Sequence, residues 1–165
     1  MYLQPPCVVR NTILIVDDDA NARRQLRDLL EANAYWVIEA GNGRIARELL
    51  AVQEIDLVVS DIFMPECDGF ELIAAIRAMP HPMPVIAMSD HESWTGLNFL
   101  DAANDLGAAA VIEKPFRAYL LLRLIDDALI SVTQRQRVVA LGAATQPERA
   151  RVPAGLEWVG NRPHA

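Results

Sequence analysis

Short apolar runs and helix-spaced apolar positions alternate five times along this chain. Thr12 to Val16 is an apolar run of strand length, closed by three aspartates. Asn21 to Asn33 then carries Leu26, Leu29 and Leu30 at the spacing of one helix face. Trp36 to Ala40 predicts a short second strand, ended by the turn "GNG", and Ile45, Leu49 and Leu50 mark a second helix. Ile55 to Ser60 predicts a third strand, followed past "MPECDG" by a helix over Phe70 to Met79 that Pro80 stops. Pro84 to Met88 predicts a fourth strand. Trp94, Leu97, Leu100, Ala103 and Leu106 predict a fourth helix, ended by Gly107. Ala109 to Ile112 predicts a fifth strand, and Phe116 opens a fifth helix that meets no Gly or Pro before Gly142.

Five strand–helix pairs of this kind predict an α/β fold with a five-stranded parallel sheet, doubly wound by right-handed crossovers. In such sheets function collects at the carboxyl ends of the strands. The groups expected there are Asp17, Asp18 and Asp19 after the first strand and Asp61 after the third. Ser89 and Asp90 follow the fourth, and Glu113 and Lys114 the fifth. Three aspartates in a row repel one another, so they call for a cation or a solvating turn. Asp19 is also well placed to cap the helix that starts at Ala20.

At 165 residues and 52% hydrophobic, the chain fits one well-packed core. Its apolar runs are too short for a membrane span, and the N-terminus lacks the basic-then-apolar pattern of a signal peptide. Cys7 and Cys67 are too few for a disulfide framework or a zinc site, which points to a reducing, cytoplasmic setting. His81, His91 and His164 share no ligand-like spacing. Residues 1 to 133 hold 10 Lys+Arg against 20 Asp+Glu, while five Arg and two Glu follow. An acidic body argues against direct DNA binding. Lys114 is the only lysine.

The stretches "ILIVDDD", "VVSDIFMPECDG", the Ser of "VIAMSD" and "VIEKPF", in that order and spacing, resemble the receiver domain of bacterial two-component response regulators over roughly residues 11 to 131. The resemblance implies a flavodoxin-like fold and a phosphoprotein in a signal-transduction phosphorelay. Asp61 would accept a phosphoryl group from a sensor histidine kinase or phosphotransfer protein. Asp17, Asp18, Asp61 and the backbone carbonyl of Phe63 would hold Mg²⁺, the sole cofactor implied. Lys114, before Pro115 in a cis bond, would pair with the phosphoryl oxygens, and Ser89 would donate its hydroxyl to them. Catalysis would be limited to self-phosphorylation from a donor and slow hydrolysis of the aspartyl phosphate.

The chain departs from the family in three places. Val111 stands three positions before the lysine, where members usually carry an aromatic ring. Asp90 follows Ser89, where a small residue is usual, and the Ser89 to Lys114 segment is a few residues longer than usual. Nothing after Thr133 has the length or pattern of an output domain. Residues 132 to 141 read as an extension of the last helix and 142 to 165 as a mobile tail, with Leu156 and Trp158 able to fold back on the body. Output would then be by contact with another protein. Tyr119 to Leu122 form a run too broad for a one-sided helix and predict a homodimer through the fourth and fifth helices. Two rival readings use the same residues. One is a degenerate receiver that binds without phosphorylation. The other is a metal-dependent phosphohydrolase, disfavoured because Phe63 stands where its general acid belongs.

Overall fold

The computed structural model describes residues 10–64, 69–90 and 99–144. Five strands and five helices alternate: β1 (Thr12–Val16), α1 (Ala20–Ala32), β2 (Trp36–Ala40), α2 (Gly43–Val52), β3 (Leu57–Asp61), α3 (Gly69–Arg77), β4 (Val85–Asp90), α4 (Phe99–Asp105), β5 (Ala110–Lys114) and α5 (Ala118–Ala144). The strands form one parallel sheet in the order β2-β1-β3-β4-β5. This is the doubly wound order with its switch point between β1 and β3.

Period-two alternation sorts the strand residues into two cores. Leu14, Val16, Val58, Val85 and Ala87 face Ala46, Leu72, Ile73, Ile76 and Ala103 of α2, α3 and α4. Ile13, Ile15, Leu57, Val59, Ile86, Met88 and Ile112 face Leu26, Leu30, Leu121, Ile125 and Ala128 of α1 and α5. β3 lies between β1 and β4 and is buried along its whole length. Asp61 at its end is therefore 4% exposed.

Local signals fix the helix ends. Asp19 caps α1, its carboxylate accepting the Asn21 N–H at 2.8 Å, and Asn42 caps α2 by accepting from the Ile45 N–H at 2.9 Å. α4 closes in a Schellman turn: the Ala108 N–H donates to the Ala103 carbonyl and the Gly107 N–H to Asn104, with Gly107 at φ +93°. α1 closes the same way, with Tyr35 donating to Leu30 and Ala34 to Glu31, but an alanine at φ +66° fills the glycine's place.

Several boundaries differ from the sequence expectation. β3 was expected from Ile55 but starts at Leu57. The Asp56 carboxylate instead accepts the Thr12 N–H at 2.7 Å, which holds the start of β3 beside β1. Asp61, Ser89, Asp90, Glu113 and Lys114 are the last residues of their strands rather than the first beyond them. Their backbones still pair, as in Asp61 with Met88 and Asp90 with Lys114, which extends the ladder to the site itself. α3 ends at Arg77, α5 opens at Ala118 rather than Phe116, and it runs to Ala144, past Gly142. α4 begins at Phe99. Trp94 and Leu97, expected on it, lie outside the described residues, as do Cys7, Cys67, His91 and the tail from 145, with Leu156, Trp158 and His164.

Candidate functional site

The strand ends bring together most of the polar residues picked out from the sequence. Asp17, Asp18 and Asp61 each offer an oxygen within 4.8 Å of the others. Asp17 is 1% exposed and Asp61 4%, whereas Asp18 faces solvent. At that spacing and an effective dielectric of about 20, two carboxylates repel by ~3.5 kcal/mol. The Lys114 ammonium answers this charge. It donates to Asp17 Oδ2 at 2.9 Å and to Asp61 Oδ1 at 3.0 Å. Burial, the largest single influence on this amine, would lower its pKa. The hydrogen bond to Asp17, the charges of Asp61 and Asp17 and the hydrogen bond to Asp61 together outweigh it, and the pKa is raised above the ordinary lysine value. The lysine is held charged. The peptide bond from Lys114 to Pro115 is cis, as the resemblance implied.

Asp17 is held at every polar atom. Its N–H donates to the Ala40 carbonyl at 3.3 Å and Oδ1 accepts the Asp19 N–H at 2.9 Å. Oδ2 accepts from Lys114, and the backbone carbonyl accepts from Arg23 at 2.6 Å. The chain at the end of β3 is also held by hydrogen bonds. The Gly69 N–H donates to the Ile62 carbonyl at 2.8 Å, and the Ser60 hydroxyl donates to the Asp61 carbonyl at 2.9 Å. An added Cβ at Gly69 would lie 2.4 Å from the Asp61 carbonyl oxygen.

Ser89 sits at the end of β4, next to β3, and is 7% exposed. Among the described residues no hydrogen bond engages its hydroxyl. Val111 is half-buried against the core beneath α4, opposite Ala87. Phe63 follows Asp61 by two residues, which brings its backbone to the same strand end. Beside the cluster, Ala22, Gln25, Leu26 and Leu29 of α1 and Lys114, Pro115, Phe116 and Ala118 line an open cavity of about 410 Å³.

A hard divalent cation takes oxygen ligands, and a cluster of three carboxylates with an ordered lysine supplies the charge such an ion and a phosphoryl group require. The model of the response regulator receiver domain family matches residues 13–126 of this chain. The chain belongs to that family. Among the receiver's curated relatives, the response regulator MprA of Mycolicibacterium vanbaalenii is 36% identical over 152 residues, which are 92% of this chain and 64% of MprA. The transcriptional regulatory protein FixJ of Bradyrhizobium diazoefficiens is 30% identical, over 87% of this chain and 72% of FixJ. The receiver thus spans less than two thirds of MprA's length. The signal receiver domain of an HD domain-containing protein from Pseudomonas fluorescens superposes with a TM-score of 0.68 at 27% identity, over 76% of this chain and 99% of that one. Receiver domains bind Mg²⁺ at an acidic pocket, and the receiver carries such a cluster in Asp17, Asp18 and Asp61. No helix among the described residues is long and apolar enough to cross a membrane.

Sequence reasoning missed the contacts that position the site. Arg23 and Glu39 are unremarkable surface types in the sequence, and only the fold places them under the β1 turn. Gly69 read as a loop residue. Its close approach to Asp61 depends on how α3 packs on β3.

Proposed function

We propose that this receiver accepts a phosphoryl group on Asp61 from a phosphohistidine of a sensor kinase or phosphotransfer protein, with Mg²⁺ held by Asp17, Asp18, Asp61 and the Phe63 carbonyl. The observation that carries the reading is the Lys114 ammonium bridging Asp17 and Asp61 within the carboxylate cluster. A carboxylate oxygen of Asp61 attacks phosphorus, the P–N bond breaks, and the imidazole leaves with the electron pair and takes up a proton. The bound cation supplies neutralising charge and orientation for the phosphoryl oxygens. Lys114 moves from carboxylate to phosphoryl oxygen, a partner of the same charge at the same strand edge. The Ser89 hydroxyl turns to donate to the new group, a charge-assisted bond worth about 1.5–3 kcal/mol.

Hydrolysis of the aspartyl phosphate is the only other reaction expected, and signalling proceeds by contact with an output protein. The decisive measurement is intact mass after incubation with acetyl phosphate and Mg²⁺. A single phosphoryl adduct is expected, absent in Asp61→Asn and in EDTA. An adduct that survives the substitution overturns the reading, and no adduct on the wild type favours the degenerate receiver.

Self-association through α4 and α5 belongs to the same proposal. Leu121 is buried in the core, but Tyr119 is 63%, Leu120 39% and Ile130 54% exposed, with Leu106 beyond α4 at 40%. That exposed apolar surface supports a two-fold pair. Light scattering at high concentration, with and without beryllofluoride, is expected to find a dimer. A monomer under both conditions rules it out.

A further inference from the structure

We propose that Arg23 is a positioning residue for the acidic site, an inference that rests on the Mg²⁺ reading above. Its guanidinium donates from Nη1 to the backbone carbonyl of Asp17 at 2.6 Å. That carbonyl opens the turn carrying Asp18 into the solvent mouth, so the contact ties the turn to α1. Arg23 is in turn held from β2. Its Nε lies 3.6 Å from Glu39 Oε2, while the other oxygen of Glu39 accepts from Arg27 Nη1 at 2.6 Å. Glu39 pairs across the sheet with Ile15, two residues before Asp17, which places the anchor beside the strand that bears the ligands. The Arg23 and Glu39 side chains are 19% and 28% exposed, so the bridge is shielded from water on most of its surface.

Charge and geometry predict opposite signs, which makes the inference testable. Arg23 is a cation beside an acidic cluster. If it acted only through its charge, its removal would tighten Mg²⁺ binding. If it holds the Asp17 turn in place, its removal lets the carboxylates separate and weakens binding. Outer groups that orient metal ligands typically matter by 10- to 100-fold in affinity. Lysine keeps the charge, but its donors sit on a single nitrogen and lack the planar fork that spans a carbonyl and a carboxylate.

The test is a Mg²⁺ titration of the full chain by NMR chemical shift and calorimetry, without any phosphodonor. Arg23→Gln is expected to raise the Mg²⁺ dissociation constant about tenfold, with Arg23→Lys in between. Glu39→Gln, which leaves Arg23 present but unanchored, is expected to raise it about threefold. An unchanged or lowered constant in a folded Arg23→Gln protein overturns the inference. If that variant does not fold, an unchanged constant in Glu39→Gln overturns it. A wild type that binds no Mg²⁺ overturns the functional reading and this inference with it, whereas wild-type binding unmoved by the variants overturns this inference alone.

Discussion

Replacing Gly69 with alanine sets a methyl carbon 2.4 Å from the carbonyl oxygen of Asp61 and 2.7 Å from the α-carbon of Ile62. Ordinary contact begins near 3.4 Å, so something must give by about 1 Å. Neither neighbour is the end of a flexible side chain. Both are backbone atoms of the proposed acceptor and the residue after it. Overpacking of this kind costs about 1–3 kcal/mol. A misplacement of ~1 Å at a reacting group can cost ~100-fold in rate. The expected outcome is a lower urea midpoint together with 10- to 100-fold slower phosphorylation from acetyl phosphate, followed by intact mass. Gly107→Ala is the matched control. Its backbone is at φ +93° and the nearest atoms its Cβ would meet belong to the Arg77 guanidinium, so it loses about 1–2 kcal/mol of stability far from the site. It should phosphorylate within about twofold of wild type. A Gly69→Ala protein that is labelled at the wild-type rate would refute the reasoning, as would equal slowing in both variants.

Ala34→Gly relieves an alanine at φ +66° and should stabilise the domain by about 1 kcal/mol, seen as a rise of roughly 2–6 °C in Tm; an unchanged or lower Tm counts against it. Lys114→Ala leaves Asp17 and Asp61 facing each other without the ammonium. Losing one partner of a buried pair costs about 3–5 kcal/mol, and partial exposure of the lysine reduces this to about 2–3. Millimolar Mg²⁺ should shrink that loss, so equal urea midpoint shifts with and without Mg²⁺ would contradict the assignment. Tyr35 donates to Asp126 Oδ1 at 2.5 Å, and burial, that hydrogen bond and the carboxylate's charge push its pKa up to about 12. The fold therefore favours the neutral phenol. This contribution is complete below about pH 10 and disappears as the pH rises through about 12. Tyrosinate absorbance of wild type minus Tyr35→Phe should show a transition near 12, shifted down by Asp126→Asn; a transition near 10 in the wild type would be the contrary result.

The order of elements and the gathering of Asp17, Asp18, Asp61 and Lys114 at one sheet edge were legible because both depend on local pattern. Apolar runs end in carboxylates at β1 and β3, and parallel strands carry those ends to one edge. Boundaries were less legible where a side chain competes with the ladder. Asp56 looked like part of a strand in "IDLVVS", yet its carboxylate bonds to Thr12 across 44 residues. Phe116 reads as a helix opener by type, but α5 starts two residues later, after the turn that follows Pro115. What no pattern could reveal is tertiary contact. The 2.6 Å bond from Arg23 to Asp17, the Glu39 bridge and the approach of Gly69 to Asp61 each join different elements, and the residue types involved are common on any surface.

The length of α5 has a mechanical consequence. Its 27 residues measure ~40 Å at 1.5 Å per residue, and Ala128, the last buried residue of α5 among the described residues, lies less than halfway along. About 24 Å of helix continues beyond that fulcrum. A tilt of only ~5° where Leu121 and Ile125 meet the sheet would carry the far end through ~2 Å, enough to make or break a contact between side chains. A small rearrangement beside Lys114 thus acts on the short arm of a lever, and whatever engages the long arm receives it magnified.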